Sequence, residues 1–385
     1  MATATGRLLR DASKQYPVSD LLTVRLPILI LLSLPLLAPA LLPSSFLLSR
    51  AVTAAIYVIL ANGLHIIFSY TGQLSLAQTT LWGLGAYTAA LLIIHYNVPT
   101  FAAIPAAALV AAIGAVVIGI PAFRTAGFSF AIITFAFAEI MRLVGNNWTG
   151  LTDGGIGLFV NTPPTSIGPI KFDTFDHLNN FYFLTLAFAY LSVAGVWAIR
   201  QSLLGRRFIA IRENETLASS VGINVYFTKL IAFALSGAFA GVAGVFFMYN
   251  QQHIDPGPLS PFSALYTIQF LLMILIGGRF SMLGPAIGVV IAVFMPEVIN
   301  ALFGDFFNPA RIQIVFGLTL VFAVLFAPKG AAGQAQRGHK TFFTVLRRSR
   351  GEGRNWAFAA ALALACGVVP ALAVRVGIVT GVEDI

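Results

Sequence analysis

The side chains that could do chemistry are few in this chain of 385 residues, of which only 10% are charged. The single cysteine, Cys366, excludes an intrachain disulfide and a cysteine-based metal site. No G-x-x-x-x-G-K-[ST] motif for ATP phosphates and no Ser–His–Asp arrangement stands out. No spacing typical of metal ligands relates the five histidines, His65, His95, His177, His253 and His339. We therefore expect no catalytic residue, no bound metal and no cofactor held by this chain.

Composition instead points to a membrane protein. Hydrophobic residues make up 58% of the chain, and its mean hydropathy is +0.87. A soluble domain carries about a quarter charged residues, so this chain cannot cover a surface that faces water. The net charge of +9 could suggest a nucleic-acid partner. The basic residues, however, cluster between apolar segments. This placement indicates that they orient the chain in a lipid bilayer, and we expect no nucleic-acid partner.

Apolar runs predict an all-α, polytopic transmembrane helical bundle of about ten spans. Their approximate bounds are 24–42, 46–69, 78–95, 100–122, 125–145, 179–199, 228–249, 263–277, 283–303 and 311–327. If the N-terminus is cytoplasmic, the inside loops hold nearly all the lysines and arginines, as the positive-inside rule requires. The outside loops then hold only Lys171. Residues 1–23 are a basic cytoplasmic leader, 329–355 a basic cytoplasmic segment, and 356–385 a possible extra helix.

The longest polar interruption in the middle of the chain runs from Gly205 to Lys229 and is predicted to be cytoplasmic. Within it, Glu213 to Val221 predicts a short helix with a small apolar face that includes Leu217, and Gly222 suits its C-terminal cap. A helix this short is marginal alone in water, so something must dock against it. It either folds back on its own membrane helices or is received by a soluble partner.

A second polar stretch, Ser69 to Gln78, contains glycine but no charge. It is either a plain surface turn or a break in a helix that lines a path, because irregular backbone is tolerated at membrane depth only inside protein or beside water. Glu139, an ionisable residue within a predicted span, either pairs with Arg142 on the same helix or shapes the outer mouth of a path. Gly237 and Gly241 make a GxxxG spacing that favours close helix packing within this chain.

Three stretches carry a resemblance to a known family: residues 205–229, the string GQLSLAQTTLWGLGAYTAALL at 72–92, and residues 124–157. They resemble the LivM-type permeases of branched-chain amino acid ATP-binding-cassette (ABC) importers, and the resemblance covers roughly residues 46–330. The predicted permease domain is 24–328, with a coupling loop at 200–229. The resemblance implies that a cytoplasmic helix inserts into an ATPase subunit. The residues expected to couple to the ATPase are Arg206, Arg207, Arg212, Glu213, Glu215, Ala218 and Gly222. The residues expected along the translocation path are Gly72, Gln73, Ser75, Gln78, Gly85, Tyr87, Thr134 and Glu139.

The resemblance also implies an assembly in the bacterial plasma membrane. Its partners would be a second homologous permease subunit, two ABC ATPase subunits that hydrolyse ATP, and an extracytoplasmic substrate-binding protein. The cargo would be branched-chain or related hydrophobic amino acids, with amides, urea or small aromatic acids as alternatives. An ion-coupled secondary transporter of small polar solutes is a competing hypothesis, although few carboxylates lie within the spans. A membrane-embedded enzyme is disfavoured because no catalytic constellation is present.

Overall fold

The computed structural model describes most of the region from residue 45 to residue 303. The described residues are 45–125, 127–160, 165–167, 170–172, 178–257, 260 and 263–303, together with Pro35 and Pro39. The predicted span 311–327, the leader 1–23, the segment 329–355 and the possible helix 356–385 lie outside the described residues, as does nearly all of the predicted span 24–42. Residues up to Leu48 form a unit of their own, and every contact reported below lies within the unit that begins at Ser49.

Helices dominate the described residues. In chain order they are α1 (Ser45–His65), α2 (Gln78–Tyr96), α3 (Thr100–Ala122), α4 (Phe128–Asn147), α5 (Thr149–Thr152), α6 (Leu178–Gln201), α7 (Leu203–Glu213), α8 (Glu215–Ser220), α9 (Val225–Gln251), α10 (Ala264–Gly277) and α11 (Gly284–Phe303). A π-helical turn, Ile66–Tyr70, continues α1, and a 3₁₀ turn spans Gly154–Ile156. The strands are β1 (Leu158–Phe159), β2 (Thr165–Ile167), β3 (Ile170–Phe172) and β4 (His253–Ile254).

Five helices among the described residues are long and apolar enough to cross a membrane. They are Ser45–Tyr70, Phe101–Ala122, Phe128–Asn147, Leu178–Gln201 and Val225–Gln251. Helices also form at the predicted spans 78–95, 263–277 and 283–303, as α2, α10 and α11. A helical membrane bundle is therefore the fold, whereas the predicted number of about ten spans is not established by the described residues.

The helix α1 is the enclosed centre of this bundle. Within its most apolar 18-residue window, 89% is buried inside the chain, against 22% for α4 and 33% for α6. Such a helix is surrounded by protein, whereas helices with open apolar faces suit contact with lipid or another subunit. The core beside α1 contains edge-on aromatic pairs, such as Tyr57 with Phe270 at 5.0 Å between ring centroids.

The helix α9 packs most extensively on α3 and α2, and glycines make this contact close. A Cβ added at Gly237 would lie 2.6 Å from the Ala111 carbonyl oxygen, and one added at Gly85 would lie 2.5 Å from the Gly241 Cα. No side chain fits at these separations. The prediction that the GxxxG spacing serves packing within this chain is confirmed.

The two ends of the bundle gather different loops. At one end, residues 71–77, the α7–α8 region and the turn after α10 are in contact. At the other end, β1 pairs antiparallel with β4, with Leu158 opposite Ile254 and Phe159 opposite His253. A separate hairpin pairs β2 with β3. The predicted topology places these same loops together on each side.

Candidate functional site

The C-terminal end of α1 is the first component of the candidate site. The helix widens there into the π-helical turn Ile66–Tyr70, all five residues of which are buried. π-helical turns are rare and frequently occur at functional sites. The last carbonyls of any helix lack partners within the helix and must find them elsewhere.

Three successive carbonyls of this turn receive hydrogen bonds from three different segments. The Ile67 oxygen accepts from the backbone N–H of Gln73 at 3.2 Å, within the segment that follows. The Phe68 oxygen accepts from Arg279 Nη2 at 3.4 Å, in the turn after α10. The Ser69 oxygen accepts from Arg212 Nη1 at 2.9 Å, on α7. The end of α1 is therefore the point at which all three segments meet.

Two guanidinium groups lie side by side in this cluster, with an aromatic ring beneath them. The Phe280 ring centroid is 5.1 Å from Arg212 Cζ and 5.4 Å from Arg279 Cζ. Arg279 also lies over the Phe68 ring at 4.5 Å. Such cation–π contacts offset part of the repulsion between like charges. Burial, and then the neighbouring charge of Arg212, lower the pKa of Arg279.

The predicted single helix from Glu213 to Val221 is wrong at its start. Glu213 ends α7, and Asn214 adopts an extended conformation (φ −163°, ψ 113°) that separates α7 from α8. The reason is capping, because Asn214 Oδ1 accepts a hydrogen bond from the Leu217 N–H at 2.9 Å. The predicted role of Gly222 as a C-terminal cap is confirmed, since it has φ +85° and follows the last turn of α8.

A Schellman arrangement closes the C-terminal end of α8. The Gly222 N–H donates to the Ser219 carbonyl at 3.0 Å, and the Ile223 N–H donates to the Ala218 carbonyl at 3.1 Å. The helix is therefore capped at both ends, which compensates for its length of only six residues.

Glu215 anchors α8 to the bundle. Its Oε1 accepts from Lys229 Nζ at 2.7 Å and from Gln73 Nε2 at 3.2 Å. The Lys229 side chain is only 6% exposed, whereas that of Glu215 is 47% exposed. A buried ammonium requires a partner, so this contact fixes α8 to the first turns of α9 and to the segment after α1.

The apolar face predicted for α8 is divided in the structure. Ala218 is buried within this chain at 3% exposure, whereas Leu217 and Val221 are 65% and 76% exposed. The helix therefore folds back on its own chain through one residue and leaves two larger apolar side chains open.

The remaining predicted coupling residues lie on α7. Arg206 and Arg207 are exposed, while Phe208 of the same helix is buried. The Glu213 carboxylate pairs with Arg212 at 2.5 Å and is itself 68% exposed. One face of α7 is therefore charged and open, and the other packs inward.

The segment 71–77 is not a surface turn, because Thr71, Gln73, Ser75 and Ala77 are buried. It lies beside α4, where the Thr134 hydroxyl accepts a hydrogen bond from the Leu76 N–H at 3.1 Å. Gly72, at φ +75°, lies on the stem of Arg212: a Cβ there would be 3.1 Å from Arg212 Cγ. The residues predicted for the path and those predicted for coupling thus meet directly.

Gln78, at the start of α2, is fully buried and joins three helices. Its Nε2 lies 3.3 Å from the Ser236 carbonyl and 3.5 Å from the Leu60 carbonyl, and its Oε1 accepts from the Ser236 hydroxyl at 2.7 Å. Its geometry is that of a structural cross-link between α1, α2 and α9.

The other predicted path residues lie elsewhere and are not brought together with these. Gly85 is in the contact between α2 and α9. The Tyr87 hydroxyl donates to the Ile254 carbonyl at 3.4 Å, near the β1–β4 end. Glu139 pairs with Arg142 through Nη2 at 2.5 Å, as one of the two alternatives for it required. Arg142 in turn donates to the Pro256 carbonyl at 3.3 Å.

The predicted set lacks several residues of the site, among them Ser69, Lys229 and Arg279. Lys229 and Arg279 carried a usable signal, since each is a charge at the margin of an apolar segment and such charges require partners. Ser69 contributes only its backbone carbonyl, and every residue has one, so the residue type gives no signal. Within the part of the chain that the structure describes, no group of three His, Cys, Asp or Glu side chains could hold a metal ion.

The bundle and this cluster of charged loops define a class of protein, a helical integral membrane protein with polar and charged loops gathered at one end. Residues 46–324 match the family described as "Branched-chain amino acid transport system / permease component". The chain belongs to that family.

Individual relatives agree with this membership. The chain is 30% identical over 309 residues to the high-affinity branched-chain amino acid transport system permease protein LivM of Escherichia coli (strain K12), covering 74% of this chain and 71% of the relative. It is 28% identical over 188 residues to the probable ABC transporter permease protein YphD of the same organism, covering 46% of this chain and 54% of the relative. It is 31% identical over 100 residues to the autoinducer 2 import system permease protein LsrC of Klebsiella pneumoniae, covering 26% of each chain. No solved structure matches the chain.

Proposed function

We propose that this chain is the membrane-spanning permease subunit of an ABC importer in the bacterial plasma membrane. Separate ATPase subunits drive it through α8, with ATP bound and hydrolysed by those partners and not by this chain. The observation that carries the proposal is the state of α8, a capped helix that is anchored to the bundle yet leaves Leu217 and Val221 open to a partner. Exposed apolar side chains on an ordered helix favour an interaction site.

The predicted coupling residues divide into two roles in this proposal. Leu217 and Val221 join the exposed Arg206, Arg207 and Glu213 as direct contacts of the ATPase subunit. The second group, which is Arg212, Glu215, Ala218 and Gly222, holds α8 in shape and position beneath that contact.

The proposed cargo is a branched-chain or related hydrophobic amino acid. Support comes from the relatives, because a match at 30% identity over 309 residues is to a branched-chain amino acid permease. The path would pass the polar segment 71–77 and Thr134, and a second homologous permease and an extracytoplasmic binding protein would complete the assembly. Uptake measured with leucine, an amide, urea and an aromatic acid in competition would separate this cargo from the alternatives.

An ion-coupled secondary transporter is less well supported by the described residues. Glu139 and Glu297 are the acidic residues on the long described helices, and both are ion-paired, with Arg142 and Arg50. Carboxylates that carry protons or sodium ions must be able to lose such partners.

The test of the proposal is Leu217→Asp in the complete complex. A carboxylate at this position would be buried without a partner in the contact, so we expect the ATPase subunits to be lost on purification while the permease still inserts in the membrane. Phe159→Asp is the matched control, since Phe159 is an apolar side chain of similar exposure, 71%, at the opposite end of the bundle. Retention of the ATPase subunits by Leu217→Asp would refute the proposal that α8 is their contact.

A further inference from the structure

We infer that Arg212 transmits displacement of α7 and α8 into the membrane bundle by holding the Ser69 carbonyl at the π-helical end of α1. Arg212 is a positioning residue in this role, and it does not itself contact the ATPase. The inference rests on the proposed function, because it concerns how motion at an ATPase contact reaches the spans.

The first step is the position of Arg212 relative to α8. It lies on the last turn of α7, two residues before the capping residue Asn214, so any shift of α8 moves the Arg212 backbone directly. Its guanidinium reaches 143 residues back along the chain to Ser69. A charge-assisted hydrogen bond of 2.9 Å is among the stronger and more directional contacts available.

The helix α1, whose Ser69 carbonyl accepts the hydrogen bond, is suited to pass a displacement on. The helix α1 is the most enclosed span for which burial is described, so movement of its end is transferred to the helices around it. Its π-helical turn is a local departure from α-helical geometry that can be redistributed along the helix. Among the described residues, both ring nitrogens of His65, the Ser69 hydroxyl and the Tyr70 hydroxyl have no hydrogen-bond partner. Unpaired buried groups are costly, so an arrangement of this turn that pairs them would gain free energy from that pairing.

The Arg212 side chain has little room to move relative to the π-helical turn. Gly72 covers the Arg212 stem so closely that an added Cβ would lie 3.1 Å from Cγ. Phe280 lies on another side of the guanidinium at 5.1 Å. Arg212 is therefore enclosed between the end of α1 and the turn after α10, and it cannot move far without moving them.

The helix α8 has a second attachment to the bundle, through Glu215, and this attachment differs from that of Arg212. Glu215 links α8 to Gln73 and Lys229, which lie after α1 and at the start of α9. These contacts hold α8 in place, and they reach the end of α1 only through Gln73, whose backbone N–H donates to the Ile67 carbonyl. Of the described contacts from α7 and α8, the one to the Ser69 oxygen is the link that enters the central helix itself.

The experiment uses the complete complex with its ATPase subunits and binding protein, reconstituted in proteoliposomes. Arg212→Gln removes the charge and shortens the side chain, and Arg124→Gln is the matched control, since Arg124 is an exposed arginine in another loop. We expect Arg212→Gln to copurify with the ATPase subunits as the wild type does. The number of substrate molecules transported per ATP hydrolysed should fall at least about tenfold, the scale of one charge-assisted hydrogen bond. Arg124→Gln should leave that ratio unchanged.

Two results with Arg212→Gln would overturn the inference. An unchanged ratio in Arg212→Gln would show that no coupling passes through Arg212. Loss of the ATPase subunits from Arg212→Gln would show that Arg212 belongs to the contact itself. If the glutamine variant is not recovered folded, Arg212→Met decides, because methionine keeps an apolar stem but has no donor for the Ser69 carbonyl. Its ratio should also fall about tenfold, and an unchanged ratio there would equally overturn the inference. Failure of the proposed function is visible separately, because the wild-type chain would then not copurify with any ATPase.

Discussion

Removing Glu215 and removing Lys229 from their ion pair should have very different effects on the stability of the permease. The Lys229 side chain is 6% exposed and that of Glu215 is 47% exposed, with Nζ and Oε1 2.7 Å apart. Glu215→Ala leaves a buried ammonium without its carboxylate. Lys229→Met removes the buried charge, keeps much of the apolar stem and leaves Glu215 able to reach water.

The burial of each partner sets the expected size of the effect. Breaking a fully buried pair costs about 3–5 kcal/mol, but water reaches this one through the half-exposed Glu215, so about 2 kcal/mol is the appropriate scale for Glu215→Ala. Lys229→Met should cost about 0–1 kcal/mol, because an exposed carboxylate gains little from a partner. The difference of roughly 1–2 kcal/mol corresponds to about a tenfold change in the unfolding equilibrium.

Thermal unfolding of the purified permease in detergent measures this asymmetry. Glu215→Ala should lower the midpoint clearly more than Lys229→Met, and the double variant should recover most of the loss. Glu213→Ala is the matched control, since Glu213 also pairs with a basic residue but is 68% exposed. Equal midpoints for the two single variants would show that the buried Lys229 ammonium does not depend on the Glu215 carboxylate. The reasoning about the anchor of α8 would then fail.

Two further predictions concern the packing that supports the site. Gly241→Ala should lower the midpoint by an amount equivalent to about 1–3 kcal/mol, because the new methyl group meets the backbone of α3. Gly150→Ala is the control and should not lower the midpoint, because a Cβ there meets nothing within 4 Å. Equal effects of the two substitutions would contradict the close contact between α9 and α3. Gln78→Leu should cost about 1–3 kcal/mol, because it leaves the buried Ser236 hydroxyl without its acceptor. Adding Ser236→Ala to Gln78→Leu should recover part of that loss, and a strictly additive double variant would argue against the cross-link.

The long helices were predictable from sequence because an apolar run of span length has few alternative structures. The predicted bounds 46–69, 179–199 and 228–249 differ by only a few residues from the observed elements. Apolar side chains must leave water, and the helix satisfies their backbone without any distant partner. The signal is therefore local, and a local analysis suffices.

The break at Asn214 was missed although its signal is also local. Residues 213–221 are compatible with one continuous helix, and their apolar spacing predicts one. An asparagine before a short helical run is a common N-terminal cap, and that feature separates α7 from α8. Helix boundaries depend on such single residues, and a pattern of apolar spacing does not detect them.

The contacts that assemble the site could not be predicted in the same way. Gln73 and Glu215 are 142 residues apart, and nothing in either segment selects the other from many polar candidates. Gly85 is expected along the path because it lies in the stretch 72–92 that carries the family resemblance. In the structure it faces Gly241, a contact that only a residue as small as glycine allows, and no local pattern selects that partner.

The way α8 is held would allow a helix of six residues to serve as the proposed contact with an ATPase subunit. Apolar packing alone is non-directional and would let such a helix slide over the bundle. Here Glu215 and Arg212 fix it by charge-assisted hydrogen bonds, one on each side of Asn214, and these contacts have preferred distances and angles. Two such attachments restrict both translation and rotation. The apolar side chains of Leu217 and Val221 are then free to face a partner without being required to hold the helix in place.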